Sequence, residues 1–138
     1  MSPRRLAVPA FAVVALAGCG GGGGKNDACS DKDGALTNAA FVFVGSPTSG
    51  ERVSSGFEVS GCSSTFEGTV VWRLSAKDGH TLANGSAQGG SQSAGSFSFM
   101  VDYSTSAPEV GLLTVSSPLV TSEGFPPVRN VIPLVLDT

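Results

Sequence analysis

From Phe41 to Leu136 apolar side chains return at every second position in one short run after another, and no stretch of useful length repeats them at helical spacing. Successive side chains of a strand point to opposite faces, so these runs describe strands with one wet side and one buried side. In "RVSSGFEVSG" the residues Val53, Phe57 and Val59 share a face, against Ser54, Glu58 and Ser60. "FEGTVVWRLS" places Phe66, Val70, Trp72 and Leu74 inward, opposite Glu67, Thr69, Val71 and Arg73. "SFSFMVDY" alternates Phe97, Phe99, Val101 and Tyr103, and "VRNVIPLVL" aligns Ile132, Leu134 and Leu136. Pro133 removes a ladder donor from that last run, which suits an edge strand or a bulge. With "FVFVGSP", "GLLTVSS" and a short return strand at "TLANG", the count is about seven strands, the pattern of an all-β, antiparallel β-sandwich of roughly 100 residues.

The connections carry turn chemistry. Asp78-Gly79 reads as the centre of a type I′ hairpin turn, whose two central residues need positive φ. "GSAQGGSQSAG" reads as a loop, and Asn84-Gly85 in front of it as a turn.

Ahead of the sandwich the composition changes. Arg4 and Arg5 precede the apolar stretch "LAVPAFAVVALAG", which has the length of a signal-peptide core and is too short to cross a bilayer. Ala15-Leu16-Ala17 is a small-residue cleavage pattern that would release a soluble protein. Leu16-Ala17-Gly18-Cys19 resembles the bacterial lipobox, in which the cysteine thiol takes a diacylglyceryl group and becomes the new N-terminus. The expected division is a lipoprotein signal peptide at 1–18, a lipidated Cys19 with a glycine-rich tether at 19–39, and the sandwich at 40–138. Several acyl chains hold a protein on a membrane where one binds only marginally. This organisation puts the protein on the extracytoplasmic face of the cell membrane, anchored through lipid on Cys19.

Without Arg4 and Arg5, six basic residues face eleven acidic ones, a formal charge of −5. There is no basic stripe to neutralise phosphates, which argues against nucleic-acid binding. Once Cys19 is set aside, Cys29 and Cys62 are an even pair in an exported chain and read as a disulfide; two separate buried thiols are the other reading. No metal site or cofactor is expected, because there is no C-x-x-C pair and a single histidine, His80. "DKDGALTN", with Asp31 and Asp33, stops short of a calcium loop.

No catalytic set is expected either. His80 follows a turn and reads as solvated, Glu58 and Glu67 fall on wet strand faces, and no nucleophile elbow is present. Trp72 reads as core, comparable to the strand tryptophan that packs on an inter-sheet disulfide in antibody domains. In "SPLVTSEGFPPV", Phe125 stands between a glycine and two prolines. Exposed, it would be a rigid aromatic contact for a partner; folded back, it would cap the core.

The segments "VFVGSPTSGERVSSGFEVSG", "FEGTVVWRLSAKDGHTL", "GSFSFMVDY" and "SEGFPPVRNVIPLVL", in this order, resemble the immunoglobulin-like domain of bacterial spore-germination proteins, the Gmad family. The most specific parts are Ser46-Pro47 with Gly50 and Val53, Val59-Ser60-Gly61, Phe66-Glu67-Gly68, Asp78-Gly79, and Gly95 with Phe97. The resemblance implies an immunoglobulin-like sandwich in an envelope protein and implies no catalytic residues. The expected function is a lipid-anchored binding or scaffolding module for an envelope protein or polysaccharide partner. The alternatives are a secreted adhesin or carbohydrate-binding domain and, with less support, an envelope hydrolase.

Overall fold

A computed structural model describes residues 29–118 and 127–138; the 1–18 leader, Cys19 and its glycines, and Phe125 lie outside them. The described residues form strands β1 (Phe41–Ser46), β2 (Arg52–Val53), β3 (Phe57–Ser64), β4 (Thr69–Ser75), β5 (Thr81–Gln88), β6 (Gly95–Val101), β7 (Glu109–Ser116) and β8 (Arg129–Leu136). One sheet has the order β1-β3-β6 and the other β2-β8-β7-β4-β5. All neighbours pair antiparallel except β2 and β8, which run parallel.

The alternation read from the sequence turns into two inner faces. Val59, Phe97 and Val101 come from the first sheet, and Val70, Leu74, Leu113, Val115, Ile132, Leu134 and Leu136 from the second; together with Val42 and Val53 they form one buried cluster. Trp72 of β4 lies half-buried against this cluster and stacks on Phe99 of β6, ring centroids 4.8 Å apart and planes within 5°. That contact joins the two sheets, and offset stacking adds to the area the rings bury.

Three expectations are corrected here. The run from Arg52 to Gly61 is two strands in different sheets, because Gly56, at φ 85°, turns the chain between them. Val53 and Val59 still both face the core, but from opposite sides of it, and the strand count becomes eight. The β4–β5 hairpin is also not a type I′ turn. Gly79 donates to the Ala76 carbonyl at 2.9 Å, Ala76 donates to the His80 carbonyl at 2.8 Å, and of Asp78 and Gly79 only Gly79 has positive φ. This is a type I turn closed by a left-handed glycine, the usual three-residue hairpin. Finally, β5 runs on to Gln88, so Asn84-Gly85 is mid-strand. Gly85 lies directly across from Trp72, and a Cβ on it would sit 2.8 Å from the indole. The glycine makes room for the ring rather than a bend.

Pro133 is not on an edge strand, since β8 lies between β2 and β7, but it sits where β2 no longer covers β8. The β8 amides of Val135 and Asp137 donate to Glu51 and Val53, so the imino nitrogen of Pro133 faces the same side, just beyond where β2 begins. Only its carbonyl is used there, accepting from Gly50 at 2.8 Å.

Tyr103, just past β6, clamps this edge. Its hydroxyl lies 2.9 Å from the Val53 carbonyl and 2.7 Å from that of Asp137, sharing its one proton between the end of β2 and the residue after β8. Tyr103→Phe should cost about 1–2 kcal/mol in denaturant melts, since two carbonyls lose a donor. Burial, helped by the nearby Asp137 carboxylate, holds the Tyr103 hydroxyl above its ordinary titration range. A raised folded value means that the stabilisation is complete below the unfolded tyrosine pKa of about 10 and is lost as pH rises through the folded value. The wild-type advantage over Tyr103→Phe should therefore be constant up to about pH 10 and shrink above it. Paired melts on both sides of that pH measure it.

Candidate functional site

β3 ends at Ser64, and its alternation stops with it. Residues Phe66–Gly68 form a single 3-10 turn in which Glu67 (φ 58°) and Gly68 (φ 74°) are both left-handed. Two such residues in succession break the strand period, so Phe66, expected inward, projects into solvent with 71% of its surface exposed. The turn is held from behind. Thr65 Oγ1 donates to the Thr69 carbonyl at 2.8 Å, the Thr65 amide donates to Gly90 at 3.0 Å, and the Gly89 amide donates to Gly68 at 2.7 Å. The β3–β4 and β5–β6 connections are thereby stitched together.

A third segment completes the wall. Residues 29–39, expected to be tether, and Ala40 after them are turns and short connections fastened to the sandwich: Cys29 is bonded to Cys62 of β3, with Cα atoms 5.3 Å apart. Asp31 accepts from the Leu36 amide at 2.7 Å and from Thr37 Oγ1 at 3.0 Å, and Asp33 from the Ala35 amide at 3.1 Å. Both Asp31 oxygens thus serve their own turn. This brings Asn38 (φ 59°) to the mouth of β1.

Residues 38–40, 64–67 and 91–92 line an open cleft of about 570 Å³, a volume within the range of small-molecule sites. Among the described residues the left-handed non-glycines are Asn38, Glu67 and Gln92, and all three line it. Such conformations are uncommon outside glycine, and their convergence on one cleft is a pointer to function. Glu67 is the only ionisable group in the lining, and no basic residue contributes.

The sequence candidates for chemistry lie elsewhere. His80 and Asp78 hydrogen-bond through Nδ1 and a carboxylate oxygen at the β4–β5 hairpin, at the far end of β4 from the cleft. The His80 amide and imidazole hold the Asp78 carboxyl below the usual range. Glu58 sits on the outer face of β3 and accepts from Ser98 Oγ at 3.3 Å, with the whole strand between it and Glu67. The Cys29–Cys62 bond is present, but not between the sheets. Cys62 pairs in register with Phe43 and Ser96 on the outer face of its sheet, while Val59 and Gly61 face inward. Trp72, on the inner face of the opposite sheet, packs on Phe99 instead.

A three-stranded and a five-stranded sheet face to face, with the first edge divided between β1 in one and β2 in the other, define an immunoglobulin-like β-sandwich. The chain belongs to Gmad2, the immunoglobulin-like domain of bacterial spore germination, whose family model matches residues 41–119. No curated protein matches the chain. Among solved structures, the crystal structure of CopC from Methylosinus trichosporium OB3b matches 72% of this chain and 94% of its own, at 16% identity and a TM-score of 0.45.

Proposed function

We propose that this protein is a lipid-anchored, non-catalytic binding module of the bacterial cell envelope, held on the extracytoplasmic face of the membrane through Cys19 and engaging an envelope protein or polysaccharide. The observation that carries this reading is the Cys29–Cys62 disulfide. Such bonds persist in exported proteins, and this one follows the lipobox-like Leu16-Ala17-Gly18-Cys19 closely. Only Gly20 to Ala28 separate the two features, a span of about 15–18 Å for a flexible chain. The sandwich would then work near the bilayer surface. A binding role suits an immunoglobulin-like domain, which presents loops at the ends of rigid sheets.

Cell fractionation with intact-mass measurement tests the anchor. The expected result is a membrane-bound chain starting at Cys19 and carrying the mass of its acyl groups. A soluble chain starting at Gly18 would instead overturn the anchor and leave the secreted alternatives.

A further inference from the structure

We infer that the cleft at residues 38–40, 64–67 and 91–92 is a saccharide-binding site, with Phe66 as the platform for a sugar ring; this deepens the binding-module reading and rests on it. The ligand class follows from the chemistry of the lining. Phe66 stands at the cleft exposed over 71% of its surface. Burying such a ring against an apolar surface is favourable, and the C–H face of a pyranose is a surface of that kind. Beside it are the amides of Asn38 and Gln92, the carboxylate of Glu67 and the hydroxyl of Ser91. Amides offer donors and acceptors side by side, as the vicinal hydroxyls of a sugar require, and a carboxylate accepts twice. None of these four side chains has a hydrogen-bond partner among the described residues.

Other ligand classes fit less well. With no basic residue in the lining, a phosphate or a polyanion has no counter-charge. A peptide adding as a strand needs free backbone donors, yet the amides of Thr65, Gly68 and Gly89 in this region are already donated to Gly90, Thr65 and Gly68. Insertion of Phe66 into the bilayer would bring Glu67 against an anionic surface. The site is also braced for its task. Backbone bonds between the connections fix one wall, and the disulfide and the Asp31 turn fix the other, so little ordering remains to be done on binding.

The test is a nuclear magnetic resonance titration of the chain from residue 20 onward, which keeps every residue of the described fold, with chitotetraose and cellotetraose as separate probes. The expected result is that at least one probe binds with a Kd on the order of 1 mM or tighter. Amide shifts should concentrate at residues 38–40, 64–67 and 91–92. Phe66→Ala should weaken binding about tenfold, because the ring contact is lost, whereas Phe43→Ala, an exposed ring on the outer face of β1, should change it less than about twofold. Because Phe66 is largely in solvent, its variant keeps the fold, and its unperturbed spectrum outside the cleft verifies this. Absence of binding by both sugars, shifts away from the cleft, or equal affinity in Phe66→Ala would each overturn the inference. Phe66-dependent binding to phosphatidylglycerol vesicles without sugar binding would also overturn it. None of these outcomes bears on the lipid anchor, which fractionation decides separately.

Discussion

Cys29→Ser, or reduction of the Cys29–Cys62 bond, is expected to lower the stability of the domain by about 3–4 kcal/mol on the chain-entropy model. The bond joins residues 33 apart in sequence, a loop long enough for its closure to restrict the unfolded chain strongly. For a domain near 100 residues this amounts to a fall in melting temperature on the order of 15–25 °C. The core should remain assembled below that midpoint, because Cys62 points away from it. What the bond secures directly is the turn segment at residues 29–40, which closes over the outer face of β3 and leaves Cys62 fully buried. Loss of the bond should therefore also loosen the Asn38 wall of the cleft. Thermal melts with and without reductant, followed by the single Trp72, measure the effect. Coincident midpoints would sink the account.

That the two cysteines pair is legible from their number once Cys19 is assigned elsewhere. Their outer-face position is legible too, from parity: Val59 is inward, and Cys62 lies an odd number of residues away on the same strand. The inner faces of β6 and β8 are equally plain, through Phe97 and Val101 and through Ile132, Leu134 and Leu136, whereas in β7 the adjacent Leu112 and Leu113 leave the inward face open until the structure shows Leu113 buried. Phe66 departs from the alternation for a local reason. It continues the period of Val70, Trp72 and Leu74, and only the left-handed pair after it takes it out of that series. The signal against an uninterrupted strand is Glu67-Gly68, a turn pair inside the alternating run. Gly85 was misread for a distant one: its partner Trp72 is 13 positions earlier in the chain, and only the β4–β5 register reveals why a side chain is excluded. The cleft belongs to the same class. Its walls come from three segments separated by whole strands, so each reads singly as an ordinary loop.

Gly61→Ala is expected to destabilise the domain by at least about 3 kcal/mol, the upper part of the range for overpacking a sheet interior. Gly61 is on the inner face of β3, between β1 and β6. A Cβ there would lie 1.9 Å from the Phe43 carbonyl oxygen and 2.7 Å from the Phe97 ring. The ring can shift at some cost in packing. The carbonyl cannot, because it belongs to the backbone of β1 near the register irregularity between Val44 and Ser46. Relief requires β1 to separate from β3, which also disturbs the chain entering β1 at the cleft. Gly45→Ala in β1 is the matched control: its Cβ would meet only the Ser60 carbonyl, at an ordinary 3.8 Å. With no steric obstacle, alanine should be neutral there or stabilising by up to about 1 kcal/mol, because glycine loses more backbone freedom on folding. Two glycine-to-alanine changes on adjoining strands should thus move stability in opposite directions, separated by about 3–4 kcal/mol in denaturant melts. A similar loss in both variants would mean that backbone entropy and strand propensity, rather than the close approach of β1 to Gly61, govern this edge of the sandwich.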